Sequence, residues 1–173
     1  MVMLENRDTW YTYFKDNWLA HYEATGETNF KIYQHPKNEH APSGKGVTLS
    51  QSKLILITSA GGYLKNSQTP FDAPNPLGDY SLRTFPTSTP FSEIDFAHDH
   101  YDHAAVNTDP QVLLPLRHLE ALVTEGIIGA LHDMVISYSG YLPIATRTVD
   151  ELYPEVLKLV NESGAQAALL VPS

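Results

Sequence analysis

Cysteine is absent from this chain of 173 residues. For the sequence as written, that absence excludes disulfides, thiolate metal sites, iron–sulfur clusters and cysteine nucleophiles. Basic residues are also scarce, because 11 Lys and Arg stand against 20 Asp and Glu, for a formal net charge of −9. Nucleic acids and acidic membrane surfaces both select basic proteins, so we expect neither as a partner.

Long hydrophobic runs are missing as well. No apolar run approaches the length of a membrane span. The first eight residues carry no basic segment followed by an apolar stretch, so the sequence predicts no secretory signal and a cytoplasmic location. The dinucleotide fingerprint G-x-G-x-x-G is also absent, since Gly61-Gly62 lacks its spacing.

The length and the 42% hydrophobic content are ordinary for one globular domain. We expect a single α/β domain over residues 1–173, with residues 1–52 as an N-terminal helix and loop extension. Four aromatic residues spaced four apart predict a helix whose aromatic stripe docks on the body rather than binding a ligand. They are Trp10, Phe14, Trp18 and Tyr22. Residues 34–52, with Pro36, Pro42, Gly44 and Gly46, are typical of a loop.

Strands alternate with helices in the rest of the chain. The continuous apolar run Lys53–Thr58 predicts a strand buried on both faces. Further strands are predicted at 92–97, within 127–137 and at 167–171, and helices after Pro115 and from a Thr148/Glu151 capping box. This order is typical of an α/β three-layer sandwich with a mostly parallel sheet. We expect that sheet to be incomplete at its C-terminal side, where an unpaired edge would favour a homo-oligomer.

Histidine and aspartate are concentrated in the stretch 98–103, which holds three of the eight histidines. In an extended segment His98 and His100 point to one side, Asp102 can join them, and a turn can bring in His103. Imidazole and carboxylate ligands suit zinc, iron or manganese. One hypothesis is therefore a metal-dependent enzyme with His98, His100 and His103 as divalent-metal ligands.

Other interpretations of this stretch stay open. The spelling H-x-H-x-D-H resembles the metal signature of the metallo-β-lactamase superfamily, but that superfamily needs further ligands, and only His118 and His132 follow. Without a metal, the histidines can transfer protons near neutral pH, or the stretch is only a polar loop.

A second candidate site follows the first predicted strand. Ser59, Gly61 and Gly62 come directly after Thr58, at the kind of strand end where α/β sheets bind ligands. Residues 65–91 then contain five prolines, which argues against regular helix. A segment of that length in a compact domain is usually functional or disordered.

Several segments share their order with one known family. They are KLILITSAGGYLK (53–65), QTPFD (68–72), GDYSLR (78–83), His98, YD (101–102), NTDP (107–110), LPLRHL (114–119), EGIIG (125–129), YSGY (138–141) and ALLVP (168–172). This pattern resembles the glycine/sarcosine/betaine/D-proline reductase B-subunit family from about residue 53 to residue 173.

The resemblance implies a reductase component that acts on a small amino acid or another nitrogen-containing carboxylate. In this family a selenolate or thiolate attacks carbon and displaces an amine, and thioredoxin-like partner proteins supply the reducing equivalents. The resemblance implies a pocket built from residues 59–62, 79–83 and 98–109.

Within that pocket we expect catalytic roles for His98, Asp102 and Asp109, and substrate contacts from Ser59, Gly61, Gly62, Arg83 and Tyr101. Arg83 can bind a carboxylate through two hydrogen bonds, or it is a surface residue. Asp109 precedes Pro110 and can instead cap a turn, and Ser59 can serve only backbone groups. Tyr138 and Tyr141 line the cleft or merely pack.

The sequence departs from the family at its end. The family nucleophile follows the last strand, whereas this chain ends at Ser173 with neither cysteine nor selenocysteine. Either the reading frame is cut at a selenocysteine codon, or this member lost the redox chemistry and kept the pocket. As written, the chain lacks its own redox nucleophile, so a non-catalytic small-molecule binding or partner protein is the remaining alternative.

Overall fold

A computed structural model describes residues 4–41 and 44–173. The start of the N-terminal stretch considered for a secretory signal, residues 1–3, lies outside the described residues. So does Pro42 in the predicted loop. Among the described helices, none combines the length and the apolar character needed to cross a membrane.

The main sheet has four strands in the order β3-β5-β1-β6. Strands β1 (Lys53–Thr58), β5 (Ala130–Ser137) and β6 (Ala167–Val171) are parallel, and β3 (Arg83–Pro86) runs antiparallel to β5. The predicted run at 53–58 is a central strand, with Leu56 aligned with Val135 on one side and Leu169 on the other. The prediction of an α/β fold with a mostly parallel sheet is confirmed.

Alternation along β1 places hydrophobic residues on both faces of this sheet. Leu54 and Leu56 belong to the core cluster that contains Leu116 and Leu119 of α4 (Leu116–Thr124). Ile55 and Ile57 belong to the opposite cluster, against which α6 (Tyr153–Ser163) packs. Helices on both faces give the three layers that the sequence predicts.

The predicted capping box at Thr148 and Glu151 is wrong. The helix begins three residues earlier with α5 (Ala145–Arg147) and continues through a π-helical segment (Thr148–Leu152) into α6. Thr148 is thus inside the helix, and its backbone N–H donates to the carbonyl of Ile144 at 3.2 Å. Glu151 pairs instead with Arg147, four residues before it, at 2.7 Å.

The strand predicted at 92–97 forms, but it does not join the main sheet. Strand β4 (Ile94–Phe96) pairs antiparallel with β2 (Gly62–Leu64) in a separate two-stranded sheet. Gly61, with φ of 70°, turns the chain between the end of β1 and β2. A short helix, α3 (Ala104–Thr108), follows the histidine stretch.

The N-terminal aromatic stripe docks on the body as predicted. It lies along α1 (Arg7–Phe14), a π-helical segment (Lys15–Leu19) and α2 (Ala20–Thr25). Successive rings of Trp10, Phe14, Trp18 and Tyr22 stack with centroid separations of 5.1, 5.4 and 5.9 Å. Tyr33, Leu77, Ile144 and Ala145 pack against this stripe, which brings the extension next to the start of α5.

Candidate functional site

A cleft of about 500 Å³ lies at the carboxyl ends of the three parallel strands. The segments that follow β1, β5 and β6 supply Ser59, Tyr138, Gly140 and Ser173. The N-terminal extension and the start of the long helix supply further lining residues, among them Tyr33, His35, Ala145, Thr148 and Tyr153. Carboxyl ends of parallel strands are where α/β sheets bind ligands.

The floor of the cleft is a junction between Ser59 and Ser173. The backbone N–H of Ser173 donates to Ser59 Oγ at 2.9 Å, and Ser173 Oγ donates to the Ser59 carbonyl at 3.1 Å. A Cβ at Gly140 would lie 2.9 Å from Ser173 Oγ, 3.1 Å from Ser59 Oγ and 3.2 Å from His98 Nε2. Three polar side chains therefore converge on a position that only glycine fits without displacing them.

Sequence reasoning missed Gly140 as a site residue. It lies in the segment YSGY, which carries part of the family resemblance, and a glycine three residues beyond a buried strand was the available signal. What makes the residue important is the convergence of Ser59, His98 and Ser173, which are far apart in sequence.

His98 is 4% exposed and lies beside this junction. Its Nδ1 accepts the backbone N–H of His100 at 3.1 Å, so in the neutral ring the proton resides on Nε2, which is 3.4 Å from Ser173 Oγ. Burial, helped by the nearby His100 and His103, lowers the pKa of His98 to about 4. At neutral pH this ring is therefore uncharged, with its Nε2–H toward Ser173. The catalytic role of His98 stays a prediction.

The other two histidines of the stretch face different partners. His100 is exposed and stacks on Tyr141 with a centroid separation of 3.8 Å. His103 Nε2 lies 2.6 Å from the His98 carbonyl oxygen, and its ring stacks on Tyr101. Within residues 4–41 and 44–173, the one His/Asp/Glu group whose ligand atoms all approach within 4.8 Å of one another is Glu5, Glu39 and His40. Metal binding by His98, His100 and His103 stays a prediction.

The turn at Gly61 and the histidine stretch are held together. Tyr101 donates its hydroxyl hydrogen to the Ala60 carbonyl at 3.1 Å, and burial raises the pKa of Tyr101 to about 12. Gly61 accepts from the Ala97 N–H at 2.9 Å, and Gly62 begins β2. The fold thus brings five of the predicted site residues to one place: Ser59, Gly61, Gly62, His98 and Tyr101. Of these five, Ser59 is the one that belongs to the described lining of the cleft.

Three other candidate residues lie outside the described lining of the cleft. Asp102 Oδ1 accepts the Ala104 N–H at 2.9 Å, just before α3. Asp109 Oδ1 accepts the Gln111 N–H at 2.9 Å and caps the short 3-10 helix Pro110–Val112. Arg83 donates to the Thr69 and Leu82 carbonyls at 2.9 Å and stacks over Phe71. The catalytic and substrate-binding roles of these three residues stay predictions.

Replacement of Arg83 by alanine is expected to lower the free energy of unfolding by about 1–2 kcal/mol. The guanidinium holds the irregular segment before β3 through its carbonyl contacts, and alanine would leave those carbonyls without this donor. Urea unfolding measures the loss. As the control, Arg7→Ala removes a half-buried arginine that pairs with Asp150 at the surface, and we expect a smaller change. Equal losses in the two variants would contradict the bracing role of Arg83.

This architecture is that of an α/β protein with a cleft at its strand ends. The family model described as glycine/sarcosine/betaine reductase selenoprotein B matches residues 24–173. The chain belongs to that family. This confirms the resemblance carried by the segments from residue 53 onward.

One curated relative is the D-proline reductase subunit gamma of Acetoanaerobium sticklandii. It is 30% identical to this chain over 122 residues, which are 70% of this chain and 49% of the relative. The chain therefore spans about half the length of that relative. No solved structure matches the chain.

Proposed function

We propose that this chain is the substrate-binding part of a reductase of this family, and that the strand-end cleft holds a small amino acid or another nitrogen-containing carboxylate. The observation that carries the proposal is the cleft of about 500 Å³, with Ser59, Ser173 and His98 converging at Gly140. A ligand of that class is small enough to lie between the strand ends and the N-terminal extension.

The chemistry of the floor supports binding and orientation. The Ser59 hydroxyl is a hydrogen-bond donor that suits a carboxylate or a polarised carbonyl oxygen. Ser173 Oγ donates to the Ser59 carbonyl, and the Nε2–H of a neutral His98 faces Ser173 Oγ. A buried neutral donor needs no counter-charge when the cleft is empty, which keeps the site stable without a ligand. His98 contributes as a positioning residue in this proposal, because Ser173 lies between its ring and the cleft.

In this proposal the redox chemistry belongs to a selenolate or thiolate that the given sequence does not contain. The sequence as given contains neither cysteine nor selenocysteine, so its own residues supply no selenolate or thiolate. The relative is named as a subunit, which supports a reductase partner protein for this chain as well. A cytoplasmic location stays a prediction. An absence of nucleic-acid or acidic-membrane partners is part of the proposal, with the net charge of −9 as its support.

Isothermal titration with glycine, sarcosine, betaine and D-proline tests the proposal. We expect at least one of these compounds to bind the purified chain, and we expect Gly140→Val to weaken that binding at least about ten-fold. The valine side chain would occupy the space between Ser59, Ser173 and His98.

Gly46→Val is the matched control, because a Cβ at Gly46 meets nothing within 4 Å and the residue lies in an exposed loop. Its affinities should equal those of the unchanged protein. Failure of all four compounds to bind, or equal binding by Gly140→Val, would refute the proposed function. Thermal unfolding of both variants shows whether a lost signal reflects a lost fold instead.

A further inference from the structure

Strand β6 forms one edge of the main sheet. Within the part of the chain that the structure describes, no strand pairs with its outer side. The Val171 carbonyl accepts the Ser59 N–H at 3.1 Å, so the backbone groups of Val171 point toward β1. Because these groups alternate in direction along a strand, the N–H and C=O groups of Ala168 and Leu170 point outward, where another strand can pair with them.

The exposed side chains of this edge are apolar. Leu170 is 66% exposed, the largest value among the large hydrophobic residues that the structure describes. It aligns with Ile57, whose side chain lies on the sheet face against which α6 packs. That face therefore continues onto β6, where Ala168 and Leu170 stay exposed.

Helix α6 extends this apolar edge. Its Leu159 side lies over β5, because Leu159 and Met134 line the same hollow. Leu157 is about 200° from Leu159 around the helix, so it lies toward β6, and it is 44% exposed. Tyr153, one turn before Leu157, lines the cleft together with Pro172, which directly follows β6. These exposed residues form the β6 edge patch: Tyr153, Leu157, Ala168 and Leu170.

The β6 edge patch is uncharged, although the chain has a formal net charge of −9. Residues 167–173 contain no charged side chain, and the α6 side with Tyr153 and Leu157 continues to Asn161. Edge strands that avoid pairing carry lysine, an internal proline or a bulge, and β6 has none of these within residues 167–171. Two copies of this acidic chain can therefore meet along β6 without bringing like charges together.

A second copy of the chain fits this edge in a self-complementary register. In an antiparallel arrangement about a two-fold axis at Leu169, Ala168 of each copy lies opposite Leu170 of the other. Both residues direct their N–H and C=O groups outward, so each opposing pair exchanges its two hydrogen bonds and no outward group is left unpaired. The same pairing places a small side chain opposite a large one on the exposed face.

We infer that two copies of this chain associate through β6, so that their two main sheets become one continuous sheet. The two-fold axis puts both α6 helices on the same face, beside Leu157 and Leu170 of the two copies. A specific interface buries roughly 600 Å² or more of each partner, so the α6 side has to contribute alongside the short strand. This inference goes beyond the proposed function and does not depend on it.

Analytical ultracentrifugation of the purified chain tests the association. We expect a species of twice the 19.3 kDa chain mass, whose proportion rises with protein concentration. Leu170→Lys should raise the dimer dissociation constant at least about ten-fold, because it places a charge inside the apolar contact. Leu49→Lys, the matched control, should leave that constant unchanged, since Leu49 is 45% exposed but contacts Gly129 at the start of β5.

A single introduced cysteine tests the register, since the chain has no cysteine of its own. Leu169→Cys would place two thiols across the axis in a non-hydrogen-bonded pair, with Cα atoms about 4.5 Å apart, which suits a disulfide. Ala168→Cys, the control, places its thiols on a diagonal with Cα atoms about 7–8 Å apart, beyond disulfide reach. Under mild oxidation we expect Leu169→Cys to cross-link at least about five-fold faster, measured by non-reducing electrophoresis.

Three results would overturn the inference. The first is a monomer at about 100 μM, which would leave the edge to a strand of a different protein. The second is a dimer that Leu170→Lys does not weaken, and the third is cross-linking through Ala168→Cys as fast as through Leu169→Cys. Thermal unfolding checks the fold of each variant. If the half-buried Leu169→Cys fails to fold, the result for Leu170→Lys, at a largely exposed position, decides alone.

Discussion

Replacing Gly61 by alanine is expected to lower the free energy of unfolding by about 3 kcal/mol, the largest loss predicted for this protein. Gly61 has φ of 70°, in the left-handed region that an alanine adopts at a cost. A Cβ there would also overlap the backbone carbonyl oxygen of Ala97. That oxygen cannot move aside freely, because the Ala97 N–H donates to the Gly61 carbonyl and ties the two segments together.

Gly164→Ala separates the two contributions to this loss. Gly164 has a similar φ of 64°, but a Cβ there meets nothing within 4 Å. We therefore expect only the conformational cost, about 1 kcal/mol, at Gly164. Urea unfolding of both variants measures the difference. Equal losses would show that the turn at Gly61 relaxes away from Ala97.

The free energy of unfolding is expected to fall by about 2–3 kcal/mol as the pH decreases from about 6.5 to about 4, because His98 is protonated more readily in the unfolded chain than in the folded one. Its native pKa of about 4 lies below the ordinary value of 6.5. Above pH 6.5 the ring is neutral in both the folded and the unfolded chain. Between these pH values the unfolded chain binds the proton and the folded chain does not, so protonation favours unfolding.

His98→Asn should flatten this pH dependence, measured by urea unfolding at several pH values. The asparagine amide oxygen can accept the His100 N–H as Nδ1 does, but it does not titrate. His118→Asn, at an exposed position on α4, should keep the steep profile, since it leaves His98 in place. An unchanged slope in His98→Asn would assign the pH dependence to other groups.

The sequence predicted the sheet well because local pattern and tertiary environment agree there. Lys53–Thr58 is apolar at consecutive positions, and only a strand covered on both faces buries all of them. Gly126 and Gly164, with φ of 73° and 64°, follow the ends of α4 and α6 in the left-handed conformation that glycine adopts at helix stops. The start of the last helix was predicted wrongly, because packing near Tyr80, whose hydroxyl accepts the Ile144 N–H, overrides the local capping pattern.

The candidate site was predictable only in part. His98 and Ser59 stood out by position in the sequence; Ser59 lies at the cleft floor and His98 lies behind Ser173. Arg83 and Asp109 were singled out by chemical type, and their polar atoms contact neighbouring backbone groups. A side chain's chemistry predicts what it can bind, but its contacts depend on which segments meet it.

The sequence alone determined the α/β class, the parallel core strands and the reductase family, because hydrophobic period and ordered motifs are local along the chain. Only the tertiary structure decided that Tyr33 and Tyr153 meet Ser59 around one cleft, and that one of three neighbouring histidines is buried and uncharged. The physical reason is that burial and proximity arise from packing between distant segments, and no short sequence pattern encodes them.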